Sequence, residues 1–383
     1  MSGVGRRVSG PEQDAEALMK AVPRWSVRLG KERRVRARTP VFGDGAVYQV
    51  FHYDKGSFFE SVMLALDADT GVERWRSTIA HVANEPVLAA DGSVYLSSFE
   101  GSVFAYEKDG RLLWTAPEAG RNMGVPRLVG AGRLVVAEIG GGGSRTWCLD
   151  RHSGAVRWTF DNGGHSYPIA ATAEMVVHAT VVNGPRFGES TIHLFALSAE
   201  NGRPIWSVKH DKYLFTPTIV DDLVVIGARG ALFAYHLASG RPAARLDLPP
   251  DTAVNVLAPA PDGFLLTDST PTFAAENTPI LRYVALSRKR SFLRASAEFT
   301  ELWATPLPRA PVGRPITFGS VVAILVEGGD LHILSAGDGQ RIAVRSRKGD
   351  ENGSGGIACS GAFLAVANGR TLDVYRHSDI VDS

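Results

Sequence analysis

Residues 64–75 read Leu-Ala-Leu-Asp-Ala-Asp-Thr-Gly-Val-Glu-Arg-Trp, and altered copies follow at 104–114, 147–158, 194–206, 232–244 and 331–343. In all six copies a Gly stands four residues before a Trp or, in the last two, before Ala244 and Ala343. A period of this kind dictates the fold, because one short unit cannot bury its apolar face alone and must stack on its neighbours. Each copy has the same grammar. An alternating apolar stretch reads as a strand. Turn residues follow, with Gly supplying positive φ and Asp or Asn bonding the local backbone. A second strand then ends in the Trp.

A further strand pair precedes each hairpin. Residues 39–50 and 85–96 show the pattern, and others start near Pro126, Pro168, Pro217, Val256, Pro315 and Gly355. Pro suits the first position of a strand, where its missing N–H is not needed. Four strands per unit, repeated radially, make a β-propeller blade. Hairpins end at Trp75, Trp114, Trp158, Trp206, Ala244, Trp303 and Ala343, which counts seven units. An eighth set of inner strands runs from about Ser354 to Tyr375 and lacks its outer strand, while residues 23–29 look like an outer strand without partners. The two ends together complete one blade and leave no open edge. The expected fold is therefore all-β: an eight-bladed propeller of four-stranded antiparallel blades over residues 21–383. Residues 1–20 form a tail with a short helix over 11–21, Pro11 being suited to a first turn.

The Ala-Leu-Asp-x-x-Thr-Gly-x-x-x-Trp unit resembles the pyrroloquinoline-quinone-type repeat of the quinoprotein-like propellers, over nearly all of residues 21–383. The resemblance implies that each Trp docks between neighbouring blades. It says less about function, since this repeat builds quinone-dependent dehydrogenases and outer-membrane assembly scaffolds alike. Those dehydrogenases carry a vicinal Cys pair and a Ca²⁺ site. This chain has only Cys148 and Cys359, far apart, and no calcium loop, nucleophile elbow or His-Glu-x-x-His motif. No cofactor and no metal are expected.

Lys+Arg is 41 and Asp+Glu is 40, so no global charge drives the chain onto nucleic acid or membrane, and neither is an expected partner. Residues 1–20 contain charges and no apolar run, which points to a cytoplasmic address.

Blade loops alternate between the two faces of the disc. On one face they are minimal, apart from residues 288–301. On the other they are long and uneven, at residues 51–60, 140–144, 183–190 and 268–280, and long loops on a rigid scaffold are where binding residues usually sit. Connections between blades open on this second face and rim the channel. The candidate ligand-binding residues there are Arg38, Asn84, Asn122, His165, Tyr167, Asn255 and Arg314, with Arg186 and Phe187 from the blade-four loop. A basic run at residues 31–38 lies beside them. Arg supplies charge, while Asn and Tyr supply hydrogen bonds, which suits a small polar or anionic ligand or a protein partner. The expected function is a binding propeller. The alternative is a cofactor-independent cyclase, isomerase or lyase, with His165 and Tyr167 as catalytic groups beside a carboxylate such as Glu85 or Glu138.

Overall fold

The computed structural model describes residues 10–29, 35–54, 59–116, 122–140, 144–183, 190–250, 252–268, 278–290, 295–346 and 354–376. Its strands form eight separate antiparallel sheets, one for each blade of the ring. Blade 1 runs from Val35–Ala37 to Glu73–Ile79, and blade 7 ends with Arg341–Arg345. Blade 8 is the split one: Gly355–Cys359, Phe363–Asn368 and Thr371–Arg376 are completed by Trp25–Arg28, with Trp25 opposite Val374 and Arg28 opposite Thr371.

The repeated Trp residues explain how blades adhere. The indoles of Trp25, Trp75, Trp114, Trp158, Trp206 and Trp303 each lie on the turn Gly of the next blade, at Gly71, Gly110, Gly154, Gly202, Gly240 and Gly339. Each indole N–H also donates to a carbonyl of that turn, at 2.8–3.1 Å. The Gly is required twice over. At Gly202 φ is +71°, and a Cβ would sit 2.6 Å from Trp158 Cε3.

The fixed four-residue spacing from Gly to Trp also has a structural cause. In all seven continuous blades the outer strand carries a bulge directly before the Trp or its Ala replacement. Ala65 faces Trp75 while Leu66 faces Glu73, so Arg74 is the extra residue. A bulge re-aims the side chain that follows it, here toward the neighbouring blade. The bulged Arg74 and Arg157 reach back to the turn carboxylates of Asp67 and Asp150. The Pro residues behave less uniformly than expected. Pro40 and Pro168 interrupt the innermost strands of blades 1 and 4, and the register slips around Pro217 and Pro315 inside those of blades 5 and 7.

The two Ala replacements fall where something else fills the gap. Of residues 288–301, read from the sequence as a loop, 288–290 and 295–301 belong instead to the paired strands Ile280–Arg290 and Ala295–Pro306. There Phe299 is buried and, with Leu286, packs in the cluster that contains Ala243 and Ala244. Arg288 pairs with Asp221 and Asp222 of blade 5. At Ala343 the next turn does not exist, because blade 8 is split there. Helix α1, Pro11–Lys20, lies in that place, with Ala15, Leu18 and Ala21 buried against blades 7 and 8. Arg345 donates to the Leu18 carbonyl at 3.2 Å and sits over the Tyr375 ring.

Candidate functional site

The connections entering blades 1, 2, 7 and 8 enclose a cavity of ≈ 640 Å³ on the face where the sequence places the binding loops. Its polar wall holds Arg36, Arg38, His52 and Glu85, and its apolar wall holds Phe59, Phe99, Pro311 and Val312. Small residues line the side toward blades 7 and 8, at Gly313, Ser354 and Gly355. Gly313 and Gly356 approach each other and Thr39 so closely that a Cβ on Gly356 would lie 2.5 Å from Thr39 Oγ1.

Among the described residues, the candidates in this cavity are Arg38 and Glu85, the latter offered as an acidic partner for His165 and Tyr167. Arg38 donates from Nε to the Ala83 carbonyl at 3.2 Å and its guanidinium lies 5.2 Å from the Phe99 ring centre. Burial pushes its pKa down, Glu85 opposes that shift, and Arg36 adds to it. Arg36 and His52 are cross-strand partners, on Val35–Ala37 and Ala46–Asp54.

His52 was not singled out from the sequence. It is 7% exposed, and burial, then the charges of Arg38 and Arg36, push its pKa down to about 3. It is therefore neutral at physiological pH. Its Nδ1 lies 2.7 Å from Ser61 Oγ, while its Nε2 is buried without a hydrogen-bond partner. One signal was available: a polar ring within the strongly apolar strand 46–54.

The other candidates divide. Asn84 is buried and its amide donates to Ser97 Oγ and to the Met123 carbonyl, so it ties blade 2 to blade 3 and not the rim to a ligand. Asn122, His165 and Tyr167 form a second group on blades 3 and 4. Asn122 has φ +62° and flanks Gly140 together with His165. His165 meets Tyr167 edge-on at 5.3 Å, and Tyr167 meets Phe215 at 5.9 Å. Burial raises the pKa of Tyr167, with Tyr213 adding to the shift. Glu138, offered as an acidic partner for this pair, accepts instead from the Trp147 indole and the Arg145 amide.

Arg314 is exposed and lies within electrostatic reach of Arg127, whose pKa falls to about 10 through burial and then the charge of Arg314. Arg186, Phe187 and residues 31–34 of the basic run lie outside the described residues, as does the side chain of Asn255. The candidates thus form one cationic cavity, one aromatic group and one channel arginine pair.

The family described as outer membrane protein assembly factor BamB matches residues 22–129 and 100–343. The outer membrane protein assembly factor BamB of Burkholderia pseudomallei (strain K96243) is 25% identical over 252 residues, covering 62% of this chain and 62% of that relative. The chain therefore spans less than two thirds of that relative's length. Among solved structures, BamB from Moraxella catarrhalis superposes with a TM-score of 0.65 at 16% identity, over 93% of this chain and 99% of that one. Quinohemoprotein alcohol dehydrogenase from Comamonas testosteroni gives 0.68 at 13% identity, over 95% and 77%. At such identities these two likenesses establish the fold, and they bear out the quinoprotein-like propeller read from the repeat. The cytoplasmic address expected from residues 1–20 is overturned, because the curated relative is an outer membrane protein assembly factor. Composition at one end of a chain reports its local chemistry and not its destination.

Proposed function

Because this chain belongs to the family described as outer membrane protein assembly factor BamB, we propose that it is a binding propeller whose channel-mouth face docks a protein partner. One observation carries the reading: cavity, cations and exposed aromatics gather on the same face. Phe59, Phe99 and Tyr213 are large exposed hydrophobics. They neighbour the Arg36–Arg38 wall on one side of the mouth and the His165–Tyr167 group on the other. Aromatic and Arg side chains together are the composition that anchors protein interfaces. The relative's name, an assembly factor, supports a protein as the partner.

The experiment is site-specific photo-crosslinking in the native host. A photoreactive residue at Phe99 or Tyr213 on the mouth is compared with one at Val156 or Ile205 on the outer strands, all four positions being exposed. Discrete protein adducts are expected from the first pair. Adducts from the outer-strand pair alone would sink the reading and move the docking surface to the rim.

A further inference from the structure

We propose that the cavity between blades 1, 2, 7 and 8 binds a carboxylate that carries an N–H or O–H donor on the adjacent carbon, next to an apolar side chain. The inference deepens the docking reading above and rests on the same face being the binding face.

Ser61 sets the protonation of the cavity's histidine. Its hydroxyl lies 2.5 Å from the His81 carbonyl, which can only accept, so the one hydroxyl proton points there. Ser61 Oγ is then an acceptor to its other neighbours, the Ala83 amide at 2.9 Å and His52 Nδ1 at 2.7 Å. This fixes the tautomer. His52 carries its proton on Nδ1 and presents a bare lone pair at Nε2. That atom is buried with no partner, on a ring that forms part of the cavity wall. The atom is closed to solvent in this structure, so a ligand reaches it by a small turn of the ring toward the cavity; a buried acceptor without a donor is unfavourable, and a ligand that brings an N–H or O–H is favoured there.

The same wall holds the charges. Among the described lining residues, Arg36 and Arg38 bring two cations against the single carboxylate of Glu85. Arg38 has its Nε on a backbone carbonyl, and it makes no ion pair with a described carboxylate. A guanidinium favours a carboxylate over a neutral acceptor and can hold it through two parallel bonds. Arg36 and His52 face each other across one strand pair, so the anionic group and the donor must lie close together in the ligand. Phe59, Phe99, Pro311 and Val312 supply an apolar wall for the attached side chain. The chemistry is that of an N-acyl amino acid or an aromatic 2-hydroxy acid, and equally that of the free end of a polypeptide chain.

The test is calorimetric titration of the full chain with three probes: N-acetylphenylalanine, its C-terminal amide, and 3-phenylpropanoate, which lacks the N–H. The acid should bind about tenfold more tightly than either analogue, the ratio expected for about one hydrogen bond or charge contact. In the His52→Leu variant the acid and 3-phenylpropanoate should bind alike, while the preference over the amide persists. The ladder on the unaltered protein needs no substitution, so it stands even where the variant is unstable. No binding of the acid at about 10 mM, equal binding of all three, or a preference for the acid over 3-phenylpropanoate that survives His52→Leu would each overturn the proposal. An acetylated octapeptide ending in Phe with a free carboxylate separates the two sources. Tighter binding than the single amino acid points to a chain end, and equal binding points to a small molecule. If these titrations fail while Phe99 still cross-links a protein, the face docks its partner without using the cavity.

Discussion

Removing the Trp158 indole tests the joint between blades 3 and 4. The indole is 9% exposed, donates to the Ala199 carbonyl at 3.1 Å and covers Gly202. Trp158→Ala loses the packed ring and orphans a carbonyl, so about 3–5 kcal/mol should be lost. Gly202→Ala tests the other side. An Ala at φ +71° is disfavoured by about 1–2 kcal/mol wherever it occurs. Here its Cβ would also lie 2.6 Å from the indole, so the ring must move, which should add about 1–3 kcal/mol. In the double variant the indole is gone and only the backbone term remains. The two losses should therefore be non-additive, with a coupling of about 1–3 kcal/mol. The assay is urea unfolding of the four proteins, followed by tryptophan-independent circular dichroism. Additivity within about 0.5 kcal/mol would refute the idea that the Gly exists to receive the indole.

Three further outcomes follow from the same structure. Leu18→Ala, at a position 1% exposed on the buried face of α1, should cost about 2–5 kcal/mol in a denaturant titration, and a loss below about 1 kcal/mol would mean that the helix does not fill the blade 7–8 gap. On the blade-six hairpin, Phe299→Ala should cost about 3–5 kcal/mol and Arg288→Ala below about 1 kcal/mol, since Phe299 is buried and Asp221 and Asp222 are exposed; the reverse order would make the ion pairs the anchor. Buried His178 has a pKa pushed down to about 4 by desolvation alone. The unfolded chain takes up that proton below about pH 6.5, so the stability it contributes is complete above that pH and is lost as pH falls toward 4. Thermal melts should lose about 3 kcal/mol through this window, and His178→Leu should flatten that slope; an unchanged slope would assign it to other groups.

The ring was legible because its grammar is local. Gly202 and Trp158 each follow from a turn and a strand repeated many times, and even the bulge at Arg74 was written as a constant spacing. The split blade was legible because residues 23–29 lacked a partner at the same point in the repeat where residues 354–375 lacked an outer strand. What fills the gaps at Ala244 and Ala343 was not, since Phe299 and Leu18 lie outside the repeat and their partners are set by the closed ring. The candidate site was legible only as a face. Arg38 lines the cavity, but Asn84 at an equivalent position in the next blade turns inward to Ser97. His52 acquires its character from Ser61, the His81 carbonyl and Arg36, a combination that strand register creates and no motif announces.

The way the N-terminal strand is held bears on how the ring comes together in time. Arg28 pairs with Thr371, so closure joins segments at opposite ends of the chain, and contacts of that span slow folding. Yet Trp25 rests on Gly71 and donates to Ala68, and Arg24 pairs with Asp69, all in blade 1. The strand can therefore dock on the first blade as soon as that blade forms, and wait there. The last blade then meets a template already in register, and the final step becomes the addition of one hairpin and its neighbour to a prepared edge.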